Sequence, residues 1–285
     1  AVTVTGVTFD TTAPTAAITY STASPYNNTE TVTITATFNE AMAESPVVKI
    51  ALSGAATLTA TEMSRQSATE YRYSYAVPEA NGTQTVALSV GTDVAGNTIT
   101  SAPSSGATFV IDSTAPSAFT VGAVAATGNT VVASKWNSTN TGVNVTVPVA
   151  DDASLTGGTI QLRAKVGNEG YVDLGNAYTI TGANVTNGSA TISNTATVLE
   201  AISGGVADAE AVIFTAVITD TAGTSTTGTQ SGTTLTFDQT APTVTFVSSN
   251  KADGTYNSGV LIPIVIATNE AVTVDTTSGT PSILL

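Results

Sequence analysis

Residues Asp10–Pro14 read DTTAP, residues Asp112–Pro116 read DSTAP, and residues Asp238–Pro242 read DQTAP. An alternating apolar and polar run precedes each copy and another follows it, a pattern that predicts β-strands on both sides. Proline is tolerated at the first residue of a strand, where no ladder hydrogen bond is lost. The repeated stretch therefore predicts the point where the last strand of one module is followed by the first strand of the next.

The spacing of the three copies indicates modules the size of one β-sandwich. Their prolines lie 102 and 126 residues apart, and an immunoglobulin-type sandwich has about 100 residues. We expect the last strand of a preceding module, module one, module two with an insertion at 125–141, and part of a third module, over residues 1–10, 11–112, 113–238 and 239–285. Both ends would then fall inside a module, so we expect the sequence to belong to a longer array.

Composition and periodicity predict an all-β fold. Thr, Val and Ile are abundant, and they fit a pleated surface better than a helix. Short alternating runs separated by Gly, Asn and Ser turns predict tandem immunoglobulin-like antiparallel β-sandwiches in an extended array. The predicted strands include residues 31–38, 85–90, 118–121, 143–149, 211–218 and 260–266. Residues 195–206 could hold a short helix or an irregular crossing.

The charge balance argues against nucleic acid and anionic membranes as partners. The chain has 21 Asp and Glu against 7 Lys and Arg, a net charge of −14. Phosphate binding requires clustered basic residues, whereas the basic residues here are dispersed. No apolar run approaches the ~18 residues of a membrane span, so we expect no membrane insertion of this segment. Divalent cations are the natural counter-ions for such a surface.

The residue types needed for common hydrolytic mechanisms are missing. The sequence has no His and no Cys, which excludes Ser-His-Asp and Cys-His nucleophile systems and zinc sites built from imidazole or thiolate. A carboxylate pair for glycoside hydrolysis remains as an alternative. The acids lie in repeated turns, however, and Trp136 is the sole Trp. We therefore expect that the protein is not an enzyme.

Further motifs accompany the repeat. Residues 38–42 read FNEAM, residues 93–97 read DVAGN, and residues 268–272 read TNEAV. Together with the DTTAP-type stretches they resemble the bacterial Ig-like repeats of large adhesins, surface-layer proteins and other giant surface proteins, over essentially the whole chain. Module two departs from the pattern, since ADDA at Ala150–Ala153 replaces the NEA motif and Thr224 replaces the final Asn of DxAGN.

The resemblance implies an extracellular location at a cell surface, and the absence of Cys fits a prokaryotic envelope. The leading hypothesis is a structural repeat region of a surface layer or comparable envelope lattice, whose partners are copies of itself or neighbouring modules. One alternative is the stalk of a large adhesin, in which such modules only extend a distal binding domain. Another is a phage or virion decoration protein built from Ig-like modules.

The acidic residues of the repeated motifs are predicted to gather where modules meet, a region called a junction below. Successive loops of a seven-stranded sandwich alternate between its two poles. The loop before the first strand, the loop after the second and the loop before the last therefore share one pole. We expect the first junction to gather Asp10, Glu40, Asp93 and Asn97, the second Asp112, Asp151, Asp152 and Asp220, and the third Asp238 and Glu270.

Crowded carboxylates require a counter-charge, because like charges raise pKa values and destabilise the fold. No Lys or Arg adjoins these motifs. Ca²⁺ takes about 6–8 oxygen ligands from carboxylates, amides and backbone carbonyls. We therefore predict Ca²⁺ at the junctions, where it would restrain the hinges between modules. In the alternative reading, each Asp only caps its own turn, without a metal.

Three other features of the sequence have more than one interpretation. Tyr71, Tyr73 and Tyr75 share one face of a predicted strand, and core packing is favoured over cross-strand packing and over an exposed adhesive stripe. Trp136, in the insertion, could form a lateral contact or plug the end of a core. Sequons of the form Asn-x-Ser/Thr could be glycosylated or arise by chance in a chain rich in Thr and Ser, and they begin at Asn27, Asn81, Asn137, Asn144, Asn184 and Asn187.

Overall fold

The computed structural model describes residues 9–274, 276, 277 and 279. The strand predicted before the first DTTAP-type stretch lies mostly outside these residues, and so does the end of the third module, residues 280–285. Nearly all the regular structure described is β, so the all-β prediction is confirmed. No helix in the described part of the chain is long and apolar enough to cross a membrane.

Module one is a sandwich of two four-stranded antiparallel sheets. The sheets have the strand orders β1-β2-β6-β5 and β4-β3-β7-β8. Its strands are β1 Ala16–Tyr20, β2 Thr31–Phe38, β3 Lys49–Gly54, β4 Leu58–Glu62, β5 Ser64–Arg65, β6 Glu70–Ala76, β7 Asn81–Ser89 and β8 Thr108–Asp112.

Module two is a sandwich of unequal sheets. A three-stranded sheet, β15-β11-β9, faces a larger one ordered β10-β18-β16-β12-β13, in which β14 also pairs with β12 and β17 with β16. Its strands are β9 Val124–Gly128, β10 Lys135–Trp136, β11 Asn140–Pro148, β12 Thr159–Val166, β13 Val172–Asp173, β14 Tyr178–Thr179, β15 Ser189–Thr195, β16 Ala211–Thr219, β17 Ser225–Thr227 and β18 Leu235–Phe237.

Short helices and one hairpin complete the described structure. The helices of module two are α1 Gly182–Asn187 and α2 Ala196–Glu200, with 3₁₀ turns at Ala153–Leu155 and Ile202–Gly204. The short helix considered for residues 195–206 is therefore present. In the third module β19 Val244–Ser249 and β20 Ile264–Thr268 pair as an antiparallel hairpin.

Each sandwich has its own hydrophobic core. The buried side chains of one core lie between residues 16 and 111, and those of the other lie between residues 121 and 237. On β2, Val32, Ile34 and Ala36 are buried and alternate with threonines that are exposed or half-buried. This alternation is the period of two expected for a strand with one face on the core. The predicted module boundaries themselves stay a prediction.

The burial of aromatic side chains decides between the alternative interpretations of the tyrosines and of Trp136. Tyr71 and Tyr75 are 1% and 6% exposed, so core packing is confirmed for them. Trp136 is fully buried and stacks on Phe237, with ring centroids 5.6 Å apart. Its indole N–H donates to Glu200 Oε1 at 2.9 Å. Trp136 therefore plugs the core of module two, which is one of the two interpretations of the sequence.

Two predicted strands differ in the structure. Residues 118–121 form only a single bridge between Thr120 and Thr229, because the chain here crosses between the two sheets. The N–H of Val121 donates to the carbonyl of Thr229, two residues after β17 of the larger sheet. The N–H of Gly122 donates to the carbonyl of Thr146, in β11 of the three-stranded sheet. The strand predicted at 260–266 begins only at Ile264. Pro263 has no N–H to donate to a ladder, so pairing starts after it.

Candidate metal centre

Three carboxylates from three different loops meet at one pole of module one. Asp10 precedes β1, Glu40 follows β2, and Asp93 lies between β7 and β8. One carboxylate oxygen of each lies within 4.8 Å of the others. Asp93 is 2% exposed, whereas Glu40 is half-buried and Asp10 is exposed. These three residues, called the acidic cluster below, therefore run from the interior of the sandwich to solvent.

Asp93 is held by a tight turn that ends at Asn97. The N–H of Asp93 donates to the carbonyl of Asn97 at 3.0 Å, and Asp93 Oδ1 accepts the N–H of Asn97 at 2.8 Å. Gly96 has a φ of +98°, a left-handed conformation that other residues rarely adopt. The side-chain amide of Asn97 donates to Asp93 Oδ2 at 2.7 Å and to the backbone carbonyl of Asp10 at 3.1 Å. Asn97 thus links the loop before the last strand to the start of the module.

Asn39 fixes the loop that carries Glu40. Its N–H donates to the carbonyl of Thr15 at 3.0 Å, and its Oδ1 accepts the N–H of Thr15 at 2.8 Å. This pair of hydrogen bonds ties the end of β2 to the residue after Pro14 and brings Glu40 beside Asp10. Sequence reasoning gave Asn39 no role, although it is part of the FNEAM motif and recurs as the Asn of TNEAV.

The acidic cluster has opposing electrostatic influences. Burial, followed by the charges of Asp10 and Asp93, raises the pKa of Glu40 above its usual value. Burial would also raise the pKa of Asp93, but hydrogen bonds from the Asn97 amide and from nearby backbone N–H groups outweigh it and hold that pKa below its usual value. No salt bridge between described residues involves the cluster. Its charge is therefore compensated only by N–H dipoles.

The donor chemistry of the acidic cluster fits a calcium ion. Three carboxylates and the backbone carbonyl of Asp10 are hard oxygen donors, and Ca²⁺ binds about 6–8 such oxygens. The Asn97 amide presents its N–H groups to Asp93 and Asp10, so it would offer an oxygen only after rotating its terminal group. The pKa of Glu40 is raised first by burial and then by the negative charges of Asp10 and Asp93, and a cation would neutralise those charges.

The second junction does not gather its four acids in this way. Apart from the acidic cluster, the described residues contain no group of three acidic side chains this close together. Asp112 and Asp152 line one groove, but each caps its own backbone. Asp112 Oδ1 accepts the N–H of Thr114 at 3.1 Å, and Asp152 Oδ1 accepts the N–H of Ser154 at 2.9 Å. Asp151 is exposed.

Asp220 keeps the turn of Asp93 but has a hydroxyl partner in place of an amide. It is 5% exposed, and its Oδ1 accepts the N–H groups of Ala222 and Thr224 at 2.8 and 3.0 Å. The Thr224 hydroxyl contacts Asp220 Oδ2 and lies 3.0 Å from the carbonyl oxygen of Thr114. Thr224 therefore links the loop to the start of module two, as Asn97 does in module one, without bringing further carboxylates together.

The third junction repeats the first as far as the chain is described. Asp238 and Glu270 line one groove. The N–H of Asn269 donates to the carbonyl of Thr243 at 3.1 Å, and its Oδ1 accepts the Thr243 N–H at 2.6 Å, the same pair of hydrogen bonds as in module one. Glu270 Oε1 is buried without a hydrogen-bond partner. These loops thus reproduce the first junction with two of its three carboxylates.

Comparisons with known proteins bear on the chain only weakly. No protein-family model and no curated protein matches it. A solved structure described as "Biofilm associated protein - BSP domain" is similar over 80% of this chain and 29% of that chain, with 13% sequence identity and a TM-score of 0.21. The chain therefore spans less than a third of that structure's length. At this score the likeness does not bear on fold or function.

Proposed function

We propose that this chain is a structural repeat region of a large extracellular protein of a prokaryotic cell surface, in which Ca²⁺ at module junctions restrains neighbouring sandwiches. The observation that carries the proposal is the meeting of Asp10, Glu40 and Asp93 within 4.8 Å at the start of a sandwich. An ion held there would join the segment that leads into the module to two of its loops. The proposed role is mechanical and involves no catalysis.

The connection between modules one and two supports a mechanical role, because it is hydrogen-bonded on both sides. The N–H of Ser113 donates to Asn81 Oδ1 of module one at 2.9 Å. The hydroxyl of Thr226 in module two donates to the carbonyl of Pro116 at 2.5 Å. A linker held at both ends transmits orientation between domains, which a flexible polar linker does not.

The calcium part of the proposal is tested by thermal unfolding of the full chain in chelator and in Ca²⁺. At free Ca²⁺ a hundred times Kd, binding to the folded state adds about 2.7 kcal/mol, and the melting temperature rises accordingly. We expect Asp93→Asn to abolish this rise. Asp220→Asn is the matched control, because it removes an equally buried carboxylate from the equivalent turn outside the acidic cluster. A wild-type melting curve that does not respond to Ca²⁺ refutes the calcium site.

The surface-layer part requires a separate experiment, electron microscopy of the full chain assembled on a flat support. Ordered side-to-side contacts between copies in two dimensions are the result expected for an envelope lattice. Single rods with only end-to-end contacts would contradict the lattice and favour an adhesin stalk. The two experiments are independent, since a stalk and a lattice would both accommodate calcium at the junctions.

A further inference from the structure

An aromatic residue followed by asparagine begins the same turn in both complete modules. Tyr26 and Asn27 precede β2, and Trp136 and Asn137 precede β11. In each turn the asparagine Oδ1 accepts the N–H and the hydroxyl of the threonine two residues later, at 2.8 and 2.5 Å in module one and 2.9 and 2.7 Å in module two. We call this the asparagine turn.

The asparagine turn lies against the junction with the following module. The carbonyl of Tyr26 accepts the N–H of Asp112 at 2.8 Å, and the carbonyl of Trp136 accepts the N–H of Asp238 at 2.8 Å. These two aspartates begin the DSTAP and DQTAP stretches, after which the next module starts. Both turns are therefore anchored to the residue at which the chain leaves their module.

In module one the side chain of Asn27 reaches into module two. Its Nδ2 donates to the backbone carbonyl of Ala222 at 2.6 Å. Asn27 is 8% exposed and Ala222 is 6% exposed, so this hydrogen bond is shielded from water. A buried amide without this partner would be left unsatisfied, which destabilises the arrangement that buries it. The contact therefore favours one orientation of the two modules over others.

The acceptor belongs to the turn that starts at Asp220. The Asp220 carboxylate accepts the N–H of Ala222 at 2.8 Å, and the carbonyl of Ala222 accepts the Asn27 amide of the neighbouring module. Gly223, with a φ of +85°, completes the turn by donating its N–H to the carbonyl of Asp220 at 3.2 Å. Gly96 makes the same 3.2 Å bond to Asp93 in module one. Both modules thus present the same Asp-x-Ala-Gly turn at the corresponding pole.

We propose that the asparagine turn of module one is a docking element for the Asp-x-Ala-Gly turn of module two. Recognition is a single buried hydrogen bond from the asparagine amide to a backbone carbonyl, and it requires no metal. Asn27 begins a sequon, and a glycan on its Nδ2 would displace the docked turn, so docking and glycosylation of Asn27 exclude each other.

The third module repeats two features of the asparagine turn. Tyr256 Oη donates to the carbonyl of the residue four positions earlier, as Tyr26 Oη does at 2.5 Å. The carbonyl of Asn257 accepts the N–H three residues later at 3.2 Å, the same distance as in the turn of Asn27. Asn257 thus begins a turn with the same backbone hydrogen bond, although Gly259 stands where the other two modules have the threonine of the asparagine turn.

Module two supplies a natural control. There, Asn137 Nδ2 donates to the carbonyl of Thr130 at 2.9 Å, within its own module. The insertion at 125–141 thus supplies an internal acceptor in place of the next module. Docking through the amide is therefore a property of the second junction and not of the third.

The test is the distribution of distances between modules one and two in the full chain, measured between two spin labels. The chain has no Cys, so labels can be attached at Thr59→Cys and Glu169→Cys, both at exposed positions. We expect Asn27→Asp to broaden this distribution, because it keeps the acceptor of the turn and places a carboxylate against the Ala222 carbonyl. Asn137→Asp makes the same change in the turn that docks nothing and is expected to leave the distribution unchanged.

The measurement is made in chelator, so its outcome is independent of the calcium proposal. An unchanged distribution for Asn27→Asp overturns the docking element, whatever the response to Ca²⁺. A second measurement needs no variant: scalar coupling across the hydrogen bond between Asn27 Nδ2 and the Ala222 carbonyl carbon, recorded by NMR on the deuterated wild-type chain. Detection of this coupling supports the proposal even if Asn27→Asp misfolds, and its absence overturns it.

Discussion

At the scale of single residues, the acidic cluster places two carboxylates in opposite surroundings. Asp93 accepts hydrogen bonds from the Asn97 amide and from backbone N–H groups, which favour its charged form. Glu40 is half-buried and faces the charges of the other two acids, which disfavour its charged form. The two residues therefore contribute to stability with opposite dependence on pH.

For Asp93→Asn we expect a lower melting temperature at neutral pH in chelator. The pKa of Asp93 is lowered from 3.8 in the folded state, so the stability it contributes is fully present above that value. This stability is lost as the pH falls through the lower, folded-state pKa. Melting curves of wild type and variant from pH 7 down to that range should converge as the carboxylate protonates. A gap that stays constant with pH would contradict the pKa direction.

For Glu40→Gln the expected sign is reversed. The pKa of Glu40 is raised from 4.5, so ionising it costs stability as the pH rises from that value through the folded-state pKa. In chelator at neutral pH, Glu40→Gln should therefore melt at a higher temperature than wild type. In Ca²⁺ it should melt lower, because a ligand is lost. Glu79→Gln, at an exposed position, is the control expected to change neither curve.

Trp136 is the residue whose truncation should damage module two most. It is fully buried and stacked on Phe237, and replacing a buried aromatic by alanine costs about 3–5 kcal/mol. We expect Trp136→Ala to lower the free energy of unfolding by that amount, measured by urea denaturation and circular dichroism. Val131→Ala, at a 54% exposed position, should change it by less than about 0.5 kcal/mol. A small effect of Trp136→Ala would contradict the core assignment.

At the scale of elements, β3 and β7 of module one pass close to each other at Gly54. Gly54 and Gly82 lie on these two strands with nearly equal φ values of +117° and +119°. A Cβ on Gly54 would lie 2.3 Å from the carbonyl oxygen of Thr83, whereas a Cβ on Gly82 would meet only the Ala55 side chain at 3.8 Å. Alanine at Gly82 would therefore introduce backbone strain alone, whereas alanine at Gly54 would add a steric clash with the backbone of β7.

We expect Gly82→Ala to cost about 1–3 kcal/mol, because the conformation alone is strained for a residue with a Cβ. Gly54→Ala should cost more, because β3 must also move away from β7. Urea denaturation of both variants gives the comparison. Equal costs would show that the sheet yields freely at this point, which would contradict the close approach.

Alternation of apolar and polar residues predicted a strand correctly where the whole segment pairs within a single sheet. Strand β2 has the bounds predicted from its alternation, because every second residue is buried on one core. Residues 118–121 alternate equally well but pair only at Thr229, and the next residue, Gly122, already bonds to β11 of the other sheet. Alternation reports that a face is buried and does not report which neighbour supplies the hydrogen bonds, so this crossing could not be predicted.

At the scale of the whole molecule, the hairpin of the third module exposes apolar faces that are covered in module one. Ile264 is 38% exposed, whereas Ile34, at the same distance before the Asn-Glu-Ala motif, is fully buried. Phe246 and Leu261 are 57% and 84% exposed. No described residue covers this surface, and apolar patches of this kind bind hydrophobic probes.

We expect the chain to bind the dye 8-anilinonaphthalene-1-sulfonate through this hairpin. Phe246→Ser combined with Leu261→Ser should lower the dye fluorescence and leave the melting of modules one and two unchanged. Val131→Ser, at an exposed position outside the hairpin, is the control expected to have no effect. Unchanged fluorescence in the double variant would place the dye-binding surface elsewhere.

The sequence was sufficient to predict the all-β fold and the pole at which Asp10, Glu40 and Asp93 meet. Both depend on local properties, since strands alternate with a period of two and turns require Asp, Asn and Gly at set positions. Loop order in a sandwich then places successive loops at alternate poles.

Only the tertiary structure shows that the four acids of the second junction do not gather as those of the first do, and that Asn27 contacts Ala222. Asn27 and Ala222 are 195 positions apart, and their hydrogen bond depends on how one sandwich is set against the next. The contact of the Thr224 hydroxyl with the Thr114 carbonyl likewise depends on a distance of a few ångströms between two loops. The choice of Asp112 and Asp152 to cap their own turns depends on how far the other acids lie from them. A sequence pattern constrains each loop separately, whereas such distances follow from the packing of whole modules.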